Sequence, residues 1–68
     1  MTTRLLTHNA VAATRKPAKL TQAELADHVS VTRQTIIAIE KGNYTPSVQL
    51  ALKLAKALNK TVEELFWL

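Results

Sequence analysis

The feature that most constrains this chain is that it has to fold by side-chain packing alone. It has 68 residues and no cysteine, which excludes disulfides, thiolate zinc sites and thiol catalysis together. A core of this size supplies only about 3–5 kcal/mol. Hydrophobic residues make up 47% of the chain, which is not the composition of a disordered tail. We therefore expect one domain over residues 1–68, completed by a second copy, and not a self-sufficient enzyme.

The charge balance of the chain indicates an anionic partner. Nine Lys and Arg against five Asp and Glu give a formal net charge of +4, which attracts nucleic acid, acidic lipid or an acidic protein. No apolar run approaches the ~20 residues of a membrane span. Arg4, His8 and Asn9 interrupt any signal-type apolar stretch, so we expect a cytoplasmic protein without membrane contact. Two isolated histidines, His8 and His28, predict neither a metal site nor a cofactor.

Helix start and stop signals divide the chain into five short helices. Thr21-Gln22-Ala23-Glu24 and Thr61-Val62-Glu63-Glu64 are capping boxes, in which the threonine and the glutamate satisfy each other's backbone N–H groups. Pro17 ends the first helix, because the residue before a proline avoids the helical region. Strand character is confined to residues 2–6 and 66–68. The pattern predicts an almost all-α fold.

The fourth predicted helix follows a loop that contains a proline. Pro46 suits the first position of a helix that Thr45 caps. The apolar positions of this helix recur at helical spacing and predict a stripe that faces the core, formed by Ala51, Leu54, Ala55 and Leu58.

Residues 22–40 have the spacing of a helix-turn-helix unit. A short helix ends near Val29, three residues interrupt the pattern, and a second helical period runs from Thr32 until Lys41-Gly42 closes it. Ile36 and Ile39 fall on the side of the second helix that faces the core. In such a unit the first helix supports the second, which enters the major groove of DNA.

The outward face of the second helix begins with Arg33 and Gln34. Arginine can donate two hydrogen bonds to guanine, and glutamine can pair with adenine, both through the major groove. The alternative interpretation of these two residues is a solvated helix face. Ile37 lies on the same side, where it either contacts a thymine methyl group or is incidentally exposed.

Six stretches follow one another in a specific order: Leu20-Thr21-Gln22-Ala23-Glu24-Leu25-Ala26, Val31-Thr32-Arg33-Gln34-Thr35-Ile36, Ile39-Glu40-Lys41-Gly42, Tyr44-Thr45-Pro46-Ser47, Leu50-Ala51-Leu52-Lys53-Leu54-Ala55-Lys56-Ala57-Leu58 and Val62-Glu63-Glu64-Leu65-Phe66. This set resembles the phage-repressor-like (Cro/C1 or Xre type) helix-turn-helix regulators over roughly residues 9–66. Among members, the chain is most similar to very small dimeric repressors such as the cytolysin repressor of Gram-positive bacteria.

The resemblance implies a five-helix, lambda-repressor-like DNA-binding domain, to which the chain termini can add a short β-ribbon. It implies a homodimer on a near-palindromic operator in double-stranded DNA, with a recognition helix from Thr32 to Glu40. The implied base contacts come from Arg33, Gln34, Ile37 and Ala38. The implied phosphate contacts come from Gln22, Thr32, Lys41, Asn43 and Tyr44. The family also pairs an arginine late in the first helix with a glutamate that ends the recognition helix, here Arg15 and Glu40, as a structural ion pair.

Ser30 departs from the family pattern, and several of the implied contacts have an alternative interpretation. Ser30 replaces the turn glycine of many members, so it either accepts an uncommon φ or belongs to a different turn. For Gln22, Lys41, Asn43 and Tyr44 the alternative interpretation is an ordinary helix end or turn in water, and phosphate contact is the interpretation that we favour.

The large apolar side chains at the C-terminus are expected to be buried against another surface. Phe66, Trp67 and Leu68 are either buried within the monomer or part of a dimer interface, with Leu5 and Leu6 joining as a strand. Because the core is small, we favour the dimer interface. Residues 1–8 are expected to form an N-terminal extension of the domain.

Two functional classes compete. The first is a sequence-specific transcriptional regulator, most simply a repressor that occludes a promoter as a dimer and needs no small-molecule effector. The second is an antitoxin or adaptor whose main role is binding another protein, for which only residues 1–8 are spare. An enzyme is not expected, since the sequence has no nucleophile and base set, glycine-rich phosphate loop or metal cluster.

Overall fold

The computed structural model describes residues 8–68, which form five helices and a two-stranded antiparallel sheet. The predicted fold class, all-α with a short β-ribbon, is confirmed. The elements in chain order are β1 (His8–Asn9), α1 (Val11–Arg15), α2 (Gln22–His28), α3 (Arg33–Glu40), α4 (Val48–Leu58), α5 (Val62–Leu65) and β2 (Phe66–Trp67). The predicted strand character of residues 2–6 lies outside the described residues.

Hydroxyl side chains cap the first turns of α2, α3, α4 and α5. Both predicted capping boxes are formed: Thr21 Oγ1 accepts from the Glu24 N–H at 3.0 Å, and the Glu24 carboxylate accepts from the Thr21 N–H at 2.8 Å. Thr61 and Glu64 repeat the arrangement at 3.1 and 2.8 Å. The bond from the threonine backbone is the main reason why the pKa of each glutamate lies below its ordinary value.

The prediction for the start of α4 is wrong. Ser47, not Thr45, is the N-cap, so Pro46 precedes the helix and Val48 is its first residue. Ser47 Oγ accepts from the Leu50 N–H at 3.1 Å, which satisfies one of the N–H groups that a helix start leaves unpaired. Two hydroxyl residues flank the proline, and the second of them caps the helix.

The turn of the helix-turn-helix unit follows the first of the two alternatives for Ser30, an uncommon φ. Ser30 adopts a left-handed conformation with φ 60°, which costs a residue with a Cβ about 1–2 kcal/mol. The Val31 N–H donates to the Ala26 carbonyl at 3.0 Å and closes the turn behind α2. Gly42, at φ 77°, is the predicted stop after α3.

The core lies where all five helices meet. Its fully buried members include residues from every helix: Val11, Leu25, Ile36, Ile39, Leu54 and Leu65. The predicted stripe of α4 is buried as expected, and Leu50 joins it. The β-ribbon closes one end of the core, with His8 opposite Trp67 and Asn9 opposite Phe66.

Candidate nucleic-acid interface

The helix α3 is fixed from behind by apolar contacts and at its end by a hydrogen bond. Ile36 and Ile39 are fully buried, and the small Ala26 of α2 is nearly so, which lets two short helices cross closely. Asn9 Nδ2 donates to the Ile39 carbonyl at 2.8 Å. Since β1 holds Asn9, the ribbon and the core together set the position of α3.

The opposite side of α3 carries the residues predicted to contact bases. Arg33 and Gln34 are exposed in the first turn, and Ile37 and Ala38 are half-buried in the second. At 100° per residue these four side chains occupy an arc of about 140°. The buried isoleucines lie outside this arc, so α3 presents a continuous outward face.

The N-terminus of α3 opens beside this face. Thr32 is exposed and accepts from the Thr35 N–H at 3.3 Å, and the two threonine hydroxyls are 3.1 Å apart. The cap uses one of the unpaired N–H groups at the start of the helix. The positive end of the helix dipole and the remaining N–H groups favour an anion there.

A buried ion pair joins the first helix to the end of α3. Arg15 Nε donates to Glu40 Oε2 at 2.7 Å, and the Arg15 and Glu40 side chains are only 11% and 8% exposed. Arg15 Nη2 donates to Glu40 Oε1 at 3.3 Å, and Nη1 donates to the Leu20 carbonyl at 2.9 Å. The structure therefore brings together the two residues that the family resemblance pairs.

Gln22 belongs to the same network, a contact that was not predicted from the sequence. Its Nε2 donates to Glu40 Oε1 at 3.0 Å, so one carboxylate holds the side chains of Arg15 and Gln22. The two residues of this bond are 18 positions apart, and no local pattern signals the contact. The network links α1, α2 and α3.

A polar groove of about 480 Å³ lies over this network, between the starts of α2 and α3. Arg33 forms part of its wall, which connects the groove to the outward face of α3. Lys16 and Thr21 also line it, and neither was among the predicted contacts. A cleft that holds Arg and Lys side chains beside a helix start suits a phosphate oxygen.

The loop after α3 brings the other predicted phosphate contacts to the surface. Lys41, Asn43 and Tyr44 are exposed. The Gly42 N–H donates to the Ile39 carbonyl, and the Asn43 N–H donates to the Ala38 carbonyl, both at 2.9 Å. These bonds fix the loop backbone against the end of α3.

The apolar C-terminus is divided between the two predicted alternatives. Phe66 is half-buried against the core, as burial within the monomer requires. Trp67 remains 50% exposed and Leu68 is fully exposed. Leu5 and Leu6, predicted to join them, lie outside the described residues. Within residues 8–68, no helix is long and apolar enough to cross a membrane, and no three potential metal ligands cluster together.

Comparisons with known proteins match this geometry. A helix-turn-helix family model matches residues 11–65. An uncharacterized HTH-type transcriptional regulator, YgzD of Bacillus subtilis, is 55% identical over 47 residues, which cover 69% of this chain and 71% of the relative. An uncharacterized HTH-type transcriptional regulator of Methanothermobacter thermautotrophicus is 57% identical over 53 residues, covering 76% and 77%.

A solved structure shows the same fold. The clp gene regulator ClgR from Corynebacterium glutamicum superposes with a TM-score of 0.74 at 26% identity. The match covers 78% of this chain and 56% of the ClgR chain. The family model spans all five helices of the described residues, and the relatives are named as regulators. This chain therefore belongs to the Cro/C1-type, Xre-like helix-turn-helix family of DNA-binding transcriptional regulators.

Proposed function

We propose that this chain is a homodimeric, sequence-specific repressor that reads the major groove of double-stranded DNA with α3. The proposal rests on one observation: Arg33 and Gln34 are exposed in the first turn of a helix whose back is fully buried. The major groove admits one α-helix, and a helix fixed from behind presents its leading side chains without rearrangement.

The outward face of α3 supplies the base contacts. Arg33 donates two hydrogen bonds to O6 and N7 of a guanine, and Gln34 pairs with N6 and N7 of an adenine. Ile37, half-buried one turn later, contacts the methyl group of a thymine. Ala38 is small enough to let the helix backbone approach the bases.

The phosphate contacts surround this face on both sides. One N–H of the Gln22 amide is engaged by Glu40, which orients the second N–H for a phosphate oxygen. The N-terminus of α3 at Thr32 binds a further phosphate oxygen. After α3, the exposed loop residues Lys41, Asn43 and Tyr44 contact the phosphate backbone as well.

Two copies of the chain are needed to read an operator, because one α3 reaches only one half-site. We expect a near-palindromic operator with half-sites about one helical turn, ~10 bp, apart. Phe66, Trp67 and Leu68 belong to the interface between the copies, since two of them are exposed apolar side chains. The bound dimer covers the promoter in the cytoplasm without a small-molecule effector.

Selection of bound sequences from random duplex DNA tests the proposal directly. We expect a single enriched motif with two-fold symmetry. Enrichment without symmetry would contradict the dimer, and the absence of any enriched sequence would contradict base reading. Co-purification of a stoichiometric protein, together with weak DNA binding, would instead support the antitoxin or adaptor function.

The variant Arg33→Ala tests the assignment of residues. On the selected operator we expect a loss of about 1–3 kcal/mol of discrimination at one base pair per half-site, measured by gel shift against operators altered at each position. Lys53→Ala is the matched control, since it removes one exposed positive charge from α4 and should leave the preference unchanged. If Arg33→Ala also left the preference unchanged, its role as a base contact would be wrong.

A further inference from the structure

The helix α4 is apolar over more of its circumference than the monomer core uses. On a helical wheel, the apolar residues of α4 occupy an arc of about 200°, with Leu50 at one edge and Leu52 at the other. A helix packed on one core needs an apolar arc of only about 100°. Val48 and Leu52 form the excess part of this arc, and they are 78% and 57% exposed. They lie four residues apart, so they are neighbours on the helix surface.

These two side chains form one wall of an apolar groove. The groove has a volume of about 450 Å³, and Val62 and Phe66 line its other side. Among the residues that the structure describes, Glu63 is the one charged side chain in its lining. A protruding aliphatic pair therefore stands directly beside an apolar depression.

We infer that this surface, the α4 patch of Val48, Leu52 and the groove beside them, is the centre of the interface between two copies of this chain. The inference rests on the proposed dimer and extends its interface from Phe66 onto α4. A two-fold interface brings the same patch together from both subunits, so it has to be self-complementary. The α4 patch meets this condition, because Leu52 of each copy can enter the groove of the other.

The charges beside the patch are complementary under the same two-fold axis. Lys56 is exposed one turn after Leu52, about 6 Å further along the helix. If Leu52 enters the groove of the other copy, whose lining includes Glu63, we expect Lys56 to approach that Glu63, and two-fold symmetry repeats the pair. Within one copy, no ion pair joins Lys56 to Glu63 among the described residues. The two charges thus remain available for a partner, and a second copy supplies both.

Sedimentation equilibrium of the full chain tests the apolar contact. Leu52→Glu should weaken dimerisation by at least about tenfold, as expected when a charge replaces a central apolar side chain. Ala57→Glu is the matched control: it places the same carboxylate on an exposed position of α4, about 140° around the helix from Leu52, and should leave the dimer intact. Far-ultraviolet circular dichroism verifies that both variants keep their helices.

A charge exchange tests the pairing itself and uses only exposed positions. Lys56→Glu and Glu63→Lys should each weaken the dimer by about threefold or more, and the double variant should recover the wild-type dissociation constant. Lys53→Glu changes the net charge as Lys56→Glu does and should not weaken the dimer. Lys56→Glu reduces the net positive charge of each copy and therefore the general repulsion between the copies. An effect of net charge alone would lower the dissociation constant, whereas loss of the ion pair raises it.

Several outcomes would overturn the inference: equal behaviour of Leu52→Glu and Ala57→Glu, additive weakening in the double charge variant, or a dimer broken by Trp67→Ala but not by Leu52→Glu. A wild-type chain that is monomeric on its operator would also overturn it. Base preference on a single half-site duplex is measured separately with the Leu52→Glu variant. If Arg33 determines that preference but Leu52→Glu does not weaken the dimer, the proposed reading of DNA stands and this interface is wrong. If Leu52→Glu weakens the dimer but Arg33 does not determine the preference, the interface stands and the proposed reading of DNA is wrong.

Discussion

Glu40 is the residue that connects the elements around the outward face of α3. It ends α3, and its carboxylate accepts hydrogen bonds from Arg15 of α1 and Gln22 of α2. A carboxylate has about four acceptor sites, arranged to take a bidentate guanidinium and a further donor. One side chain therefore links three helices and holds the amide proposed to contact phosphate.

We expect the contributions of Arg15 and Glu40 to the free energy of unfolding to be strongly coupled. Glu40→Leu leaves the Arg15 guanidinium, 11% exposed, without its carboxylate, and removing one member of a buried pair costs about 3–5 kcal/mol. Since a core of this size supplies about the same amount, we expect the single variant to be largely unfolded by circular dichroism. The double variant Arg15→Met/Glu40→Leu should fold, because two apolar side chains replace two charges. Equal loss of helix in both variants would contradict the coupling.

Only part of this network could be predicted from the sequence, for a physical reason. Arg15 and Glu40 were paired through the family resemblance, and the contact is present at 2.7 Å. The bond from Gln22 to Glu40 was not predicted, because a contact across 18 residues depends on how α2 and α3 cross. A polar residue at a helix start carries no local sign of such a partner.

At the scale of elements, local chemistry decided what could be predicted. The starts of α2 and α5 were predicted correctly because a capping box marks each of them. The predicted start of α3, Thr32, is its N-cap, and the helix itself begins at Arg33. The start of α4 was wrong because Thr45 and Ser47 both qualify as caps. The exposure of Val48 and Leu52 was not predicted, since periodicity identifies an apolar arc but not how much of it the monomer covers.

Ser30 is the element-scale position where a substitution should stabilise the fold. Its φ of 60° costs a residue with a Cβ about 1–2 kcal/mol, whereas glycine adopts it freely but loses about 0.5–1 kcal/mol of chain entropy. Ser30→Gly should therefore raise the free energy of unfolding by about 0.5–1 kcal/mol and the melting temperature by roughly 2–8 °C. Thermal unfolding monitored by circular dichroism measures both quantities.

The same substitution at another serine is the control for this effect. Ser47 caps α4 at φ −61°, where glycine relieves no strain and a cap is lost, so Ser47→Gly should destabilise by a few tenths of a kcal/mol. A Ser30→Gly variant that is no more stable than the wild type would contradict a net gain from relief of strain at this turn.

At the scale of the whole molecule, the position of each charge matters more than the total of +4. Lys41 lies in the loop beside the outward face of α3, whereas Lys53 lies on the exposed side of α4. If α3 enters DNA, Lys41 neutralises a phosphate and Lys53 does not. Removing either one changes the net charge equally, so the two effects can be separated only by a measurement that counts phosphate contacts.

The salt dependence of operator binding is that measurement. The slope of log K against log salt concentration is about −0.9 per phosphate neutralised, and a dimer places two copies of Lys41 on the operator. Lys41→Ala should therefore reduce the slope by about 1.8, while Lys53→Ala should leave it unchanged. A reduction of about 0.9 would mean that a single copy binds. Equal reductions for the two variants would mean that the net charge, and not the loop after α3, attracts the DNA.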